Sequence, residues 1–195
     1  MPFNGTRGIF GTNPLTYSFP GDKGDIVIDM ATSEIPLFKI IEAKKNHTPL
    51  PPQTAVNNEG EVTTDPNQAL DEKEVSNLLP MGANYKGYII NYLIEIMTSA
   101  LIGARASAEM SNAYIETEHG GFLIAIAINQ VTDRQAFDAS VKITNEEIRA
   151  QKPKKGVERV VVPGDQNLEK KLNVNEDTEI EIDEEYKKTL MKLGE

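Results

Sequence analysis

The chain is expected to fold as an α/β protein, on three observations. A strand, a polar turn and a helix follow one another over residues 24–46, an apolar helix follows a glycine-punctuated loop from Gly87 to Gly103, and Gly120 to Asn129 is a period-two apolar run, the clearest strand. With 39% hydrophobic and 26% charged residues among 195, the chain can bury a real core. We expect one domain over residues 1–195, with a loop-rich opening (1–24), a core (25–165) and a C-terminal segment (166–195).

Composition narrows the function classes. A net charge of -10 disfavours nucleic acid and anionic membrane surfaces as partners, because both attract basic patches. There is no cysteine, which removes disulfides, thiolate metal sites and cysteine nucleophiles. The start, Met1-Pro2-Phe3-Asn4, lacks a signal-peptide pattern, and the most apolar stretch, Tyr88 to Leu101, is broken by Asn91 and Glu95 and too short to span a bilayer. A cytoplasmic protein whose partner is a small molecule or another protein is the expectation.

In order, Gly11-Thr12-Asn13-Pro14 is a turn and Leu15 to Phe19 a possible strand. Gly24 to Ala31 is a strand with Ile26, Ile28 and Met30 on one face and Val27, Asp29 and Ala31 on the other. Thr32 and Ser33 offer an N-cap for a helix over Glu34 to Asn46, with Pro36 in its first turn. A long connection, His47 to Pro66, contains the turn Asn57-Asn58-Glu59-Gly60, and Pro66 to Asn77 is read as a short polar helix. The helix Gly87 to Gly103 is apolar nearly all round, which places it at the centre of the domain. Ala104 to Glu118 is expected to be irregular. Thr132-Asp133-Arg134-Gln135 has capping-box spacing for a helix reaching about Ala150, with Phe137, Val141 and Ile148 inward. Val157 to Val162 is a further strand halted by Pro163-Gly164-Asp165; after a short Ile180 and Ile182 alternation, a last helix starts at Glu184, capped by Asp183 and closed by Gly194.

The chemistry centres on Leu79-Pro80-Met81-Gly82-Ala83-Asn84-Tyr85-Lys86-Gly87, which delivers a lysine to a helix start. Unpaired N–H groups and the helix dipole make that end positive, so a cation there is tolerated best beside an anion such as a cofactor phosphate or substrate carboxylate. The plainer alternative is a lysine facing water. Two histidines, His47 and His119, lie far apart without a supporting motif, and no metal-ligand spacing is present. No Gly-x-Gly-x-x-Gly, Gly-x-Ser-x-Gly or ATPase-type phosphate loop occurs.

Gly11-Thr12-Asn13-Pro14, Asp29-Met30-Ala31-Thr32-Ser33, Gly60 with Thr64-Asp65-Pro66, Leu79-Pro80-Met81-Gly82 with Tyr85-Lys86-Gly87, Phe122-Leu123-Ile124-Ala125-Ile126 and Pro163-Gly164 form an ordered series. The series resembles the malate/L-lactate dehydrogenase family, which also holds ureidoglycolate dehydrogenases, sulfolactate dehydrogenases and diketogulonate reductases. The resemblance implies a mixed, largely antiparallel sheet flanked by helices, a nicotinamide-binding fold that is not Rossmann, and a homodimer. It implies NAD or NADP as cofactor and a 2-hydroxy or 2-oxo acid as substrate. By position, Asp25, Ile26, Val27, Ile28, Asp29, Met30 and Ala31 contact the dinucleotide, Tyr85 and Lys86 hold it, and Gly164, Asp165 and Gln166 close over it; Asp29 orients a catalytic group. Asp165 departs from the glutamate or histidine expected at its place.

The resemblance also leads us to expect that a segment bearing the family's acid/base histidine is missing before Gly11, since neither His47 nor His119 matches it. Two expectations follow: an oxidoreductase of this family present as its C-terminal portion, or an inactive remnant serving as a nucleotide-binding or dimerisation module. Composition alone allows a third, an unrelated metabolite-binding domain.

Overall fold

A computed structural model of the chain describes residues 1–70, 75–110, 118–175, 178–179, 182 and 184–193. It is a mixed α/β structure with small sheets. Among the described residues the elements run β1 (Leu15–Phe19), β2 (Ile26–Met30), α1 (Leu37–Asn46), β3 (Ala55–Val56), β4 (Val62–Thr63), α2 (Tyr85–Thr98), α3 (Arg134–Ala150), α4 (Asp165–Asn173) and α5 (Glu184–Leu193). They fall into two compact units, one of residues 1–18 and 27–134 and one of residues 19–26 and 135–195.

In the first unit β1 lies beside β2, as their β-branched and aromatic content leads one to expect. Helix α1 starts later than expected. Pro36 is its extended N-cap residue, with φ -63° and ψ 146°, so the helix begins directly after a residue that cannot donate. Thr32 and Ser33 do not cap it; both are buried, and Ser33 Oγ donates to Ile35 O at 2.7 Å. At the far end His47 takes the left-handed conformation and its N–H returns to Ala43 O and Lys44 O, while Lys44 and Lys45 face the negative end of the dipole.

The connection after α1 carries an antiparallel hairpin that the sequence reading missed, pairing Ala55 with Thr63 and Val56 with Val62. Its turn is the one expected: Gly60 N donates to Asn57 O at 3.0 Å, and Gly60 has a φ of +86° that a side chain would resist. Residues 77–79 lie along the other edge of β3, through Val56 N to Asn77 O at 3.1 Å and Leu79 N to Thr54 O at 2.9 Å. Ile40, Ala43, Leu50, Ala55, Ala69 and Leu78 fill the space between this ladder and α1 as the core.

The helix expected over Pro66 to Asn77 is not formed in its described part. Pro66 to Ala69 is a turn held by Asp65, whose carboxylate accepts Asn67 N at 2.9 Å, and Asn77 N donates to Ala69 O at 2.9 Å. That return pairing buries Ala69 and outcompetes a helix whose exposed face would bury nothing.

Three apolar segments behave differently from expectation. Helix α2 forms, but its buried stripe is Gly87, Asn91 and Glu95, and the apolar residues Tyr85, Ile89, Tyr92, Leu93 and Ile96 point outward, Leu93 at 54% exposure. Gly120 to Asn129 is not a strand: no described residue pairs with it, Leu123 is 90% exposed and a tight turn occupies Ile128–Gln130. Val157 to Val162 has no ladder either, and Val162 N donates to Asp165 Oδ2 at 3.1 Å. A strand is a pairing, and apolar alternation supplies its face without its neighbour.

The second unit is helical. Helix α3 matches its expected span, with Phe137, Val141 and Ile148 half-buried. Helix α4 was unforeseen: Gly164, at φ +94°, is its N-cap residue, so the Pro-Gly pair that stops one segment starts the next. Helix α5 lies where expected, while Asp183, Gly194 and Ile180 fall outside the described residues. No helix among the described residues is long and apolar enough to cross a membrane.

Candidate functional site

The first unit joins three of the sequence-marked segments through one buried polar cluster. Thr32, fully buried just past β2, is at its centre. Its N–H donates to Thr12 O at 2.9 Å, its hydroxyl donates to Asn13 O at 2.9 Å and accepts from Asn91 Nδ2 at 3.0 Å, and its carbonyl accepts Met81 N at 2.9 Å. Asn13 Nδ2 donates in turn to Asn91 O and Asn91 Oδ1, both at 3.1 Å, and to Glu95 Oε2 at 3.0 Å. Those bonds hold Asn13 at φ +41°, a conformation asparagine tolerates better than most residues. Glu95 is completed by Ser107, whose N–H reaches Oε1 at 2.6 Å and whose hydroxyl reaches Oε2 at 2.9 Å.

In the sequence Asn91 and Glu95 stand as interruptions of an apolar helix. Their spacing was the signal: with Gly87 they repeat every fourth residue and share one face. A buried amide and carboxylate need partners, and the Gly11 to Pro14 turn and Ser107 provide them.

The start of α2 differs from expectation in a way that matters for ligand binding. Asn84 is the N-cap, and its Oδ1 accepts Lys86 N at 2.9 Å and Gly87 N at 3.5 Å. One turn earlier Gly82 N donates to Glu34 Oε2 at 2.5 Å. These backbone donors are therefore taken by side chains of the chain itself, and the helix start is not an open anion cradle. What remains available are side chains: Lys86 is exposed and Tyr85 is 56% exposed. Gly87 packs flush on the preceding loop, since a Cβ there would come 2.0 Å from Met81 O. Tyr85 also belongs to an aromatic row along α2 in which Phe3 meets it edge-on at 5.8 Å and Tyr88 follows at 6.1 Å.

Of the β2 residues, Val27 and Asp29 are exposed and Ile28, Met30 and Ala31 half-buried; Asp29 Oδ1 accepts from Thr16 Oγ1 at 2.7 Å across the β1–β2 pair. Asp25 and Ile26 belong to the second unit, Asp25 exposed and Ile26 buried. So do Gly164, Asp165 and Gln166.

Asp165 is engaged within its own unit. Its carboxylate takes a two-pronged contact from Arg149, Nη2 to Oδ1 at 2.8 Å and Nε to Oδ2 at 3.0 Å, as well as Val162 N. Arg149 Nη1 reaches Asp22 Oδ2 at 2.7 Å, and Asn145 Nδ2 donates to Asp22 Oδ1 at 2.6 Å. Hydrogen bonds from Arg149 hold both carboxyls below the usual carboxylate range, and the two aspartates, Asp165 first, raise the guanidinium in return. Gln166 is exposed on the first turn of α4.

Neither histidine joins these clusters: His47 closes α1 and lines a shallow cavity of about 370 Å³ with Lys44, Thr48 and Thr64, and His119 is exposed. No group of metal-ligating side chains occurs among the described residues.

Comparison with known proteins adds what this geometry alone does not say. The family model described as malate/L-lactate dehydrogenase matches residues 1–191. The malate/(S)-sulfolactate dehydrogenase of Methanothermus fervidus is 30% identical over 199 aligned residues, covering 100% of this chain and 54% of the relative. The ureidoglycolate dehydrogenase (NAD(+)) of Escherichia coli strain K12 is 31% identical, over 95% of this chain and 53% of its own. Among solved structures, the sulfolactate dehydrogenase from Methanocaldococcus jannaschii superimposes with a TM-score of 0.82 at 31% identity, over 99% of this chain and 54% of that one. The chain thus spans about half the length of the relatives it matches.

Proposed function

Since the chain belongs to the malate/L-lactate dehydrogenase family, we propose that it forms part of an oxidoreductase that interconverts a 2-hydroxy acid and a 2-oxo acid with NAD or NADP. The observation that carries this reading is a likeness to the family running through residues 1–191. The E. coli relative is named for NAD(+), which supports a nicotinamide cofactor of one kind or the other.

The residues fit such a cofactor through side chains rather than through a bare helix start. Lys86 offers an exposed ammonium for a phosphate or carboxylate, and Tyr85 an exposed ring for a planar group. By the same likeness, residues 25–31 and, in the second unit, Gly164 and Gln166 are assigned as cofactor contacts; Asp165 fixes its own turn through Arg149. Asp29, held by Thr16, would orient the proton-transferring group. When bound, the nicotinamide takes up or gives back the hydride of the alcohol carbon. The 2-oxo acid also needs a proton as its carbonyl becomes an alkoxide. We assign that donor to the part of the relatives' length that this chain does not match, along with the cover over Phe122 to Ile126 and the outer face of α2; a homodimer belongs to the same reading.

One observation favours the second reading, a remnant that binds nucleotide or dimerises without turnover: neither histidine joins the Thr32 cluster, the start of α2 or the Arg149 cluster. Titration of NADH followed by its own fluorescence, in a chain with no tryptophan, tests both readings. Saturable binding weakened about tenfold by Lys86→Met supports the cofactor site. Absence of binding overturns the cofactor site and leaves of the remnant only its dimerising form. Turnover of pyruvate or oxaloacetate by the chain alone excludes the remnant.

A further inference from the structure

Three of the sequence-marked segments come from distant parts of the chain: the turn at Gly11–Pro14, the end of β2 and the loop leading to Lys86. They converge on one side chain that touches none of the exposed groups. Thr32 is fully buried, and each of its polar atoms is used, toward Thr12, Asn13, Asn91 and Met81. The next two residues continue the join. Ser33 forms an isolated antiparallel bridge with Pro80, Glu34 N donates to Leu79 O at 2.8 Å, and the Glu34 carboxylate takes Gly82 N. Residues 32–34 are thus zipped to residues 79–82, two positions before the Asn84 cap that sets the direction of Tyr85 and Lys86.

We propose that Thr32 is a positioning residue for the candidate cofactor site: its hydroxyl, shared between Asn13 O and Asn91 Nδ2, fixes α2 beside the end of β2, and so steadies the Met81–Asn84 loop that its carbonyl holds at Met81 N. The inference rests on the cofactor reading for its functional consequence but not for its structural one. Valine has nearly the shape of threonine and lacks the hydroxyl, so Thr32→Val leaves Asn91 Nδ2 with a weak 3.5 Å contact to Gly11 O and leaves Asn13 O without that donor. Serine keeps the hydroxyl.

The test compares Thr32→Val, Thr32→Ser and wild type by amide hydrogen exchange without ligand and by NADH titration. We expect Thr32→Val to speed exchange at Met81, Lys86 and Gly87 and to weaken NADH binding about tenfold, with Thr32→Ser restoring both. Exchange along α3 should be the same in all three. Unchanged protection at Met81 and Lys86 in Thr32→Val, or a serine variant no better than valine, overturns the proposal. If wild type binds no NADH, the cofactor reading fails while the exchange comparison still decides the positioning role. Should Thr32→Val not fold, Glu34→Ala loosens the same loop from an exposed side chain: faster exchange at Gly82 with weaker NADH binding supports the lock, and unaltered behaviour overturns it.

Discussion

The two units of this chain bury their polar groups by opposite means. In the first, Thr32, Asn13, Asn91 and Ser107 share hydrogen bonds among neutral groups around the single carboxylate of Glu95. In the second, Arg149 stands between Asp22 and Asp165, with side chains of all three mostly enclosed. Neutral networks resist pH and salt but depend on shape, because one missing atom strands its partner. Ion clusters tolerate less exact shape and depend on charge balance. Each unit should therefore fail under a different insult.

The largest effects should come from apolar and ionic deletions, one in each unit. Ile40 is fully buried in the α1 core, so Ile40→Ala should cost about 4 kcal/mol of unfolding free energy in urea titration. Arg149→Met leaves two enclosed carboxylates without their cation and should cost about 3 kcal/mol at neutral pH. If Arg149→Met proves neutral, the second unit is not held by its ion cluster and the contrast collapses.

Acid should separate the units further. Asp22 and Asp165 bind protons less readily when folded than when unfolded, because Arg149 holds their charged forms. Their contribution is therefore complete above the ordinary carboxylate range and drains away as pH falls from that range through the lowered values. Amide exchange along α3 and α4 should accelerate over that window, and Arg149→Met should remove the acid-dependent part. The same acceleration in the variant would place its origin elsewhere.

How much of this was legible follows from which forces act locally. Helices α1, α2, α3 and α5 could be read because caps, prolines and periodicity operate within a few residues. The Asn57–Gly60 turn was equally local, but the hairpin strands around it are too short to show a period. The alternation from Gly120 to Asn129 misled for the reason already visible in Leu123: the residues Phe122 to Ile126 specify two apolar faces and no described segment pairs with them. In α2 the hydrophobicity was read correctly and its direction inverted, because Asn91 and Glu95 have partners 78 to 82 residues away at Asn13. Asn84 was overlooked as a cap although it stands in the ordinary place for one, and so the anion inferred at Lys86 lost its backbone donors. The ordered motifs mark Gly11–Pro14, Thr32 and Leu79–Gly82, distant segments that hydrogen bonds join around Thr32 and that local physics does not connect.

The smallest predicted effect probes the residue assigned a catalytic role. Asp29 is exposed, and its single described side-chain bond comes from the Thr16 hydroxyl at 2.7 Å. Water can replace that bond, so Thr16→Val should change stability by no more than about 1 kcal/mol. If the carboxylate orients a catalytic group, the cost should appear in the reaction and not in the fold. An assay therefore needs the chain reconstituted with the matching remainder of a relative such as the Methanocaldococcus enzyme. There Thr16→Val should lower kcat several-fold with little change in NADH affinity, whereas a stability loss well above that bound with unchanged kcat would make the Thr16–Asp29 bond a strut of the β1–β2 pair. That outcome would leave the first unit with a purely structural use for the polar groups of its small sheet, and would move the catalytic assignment away from Asp29.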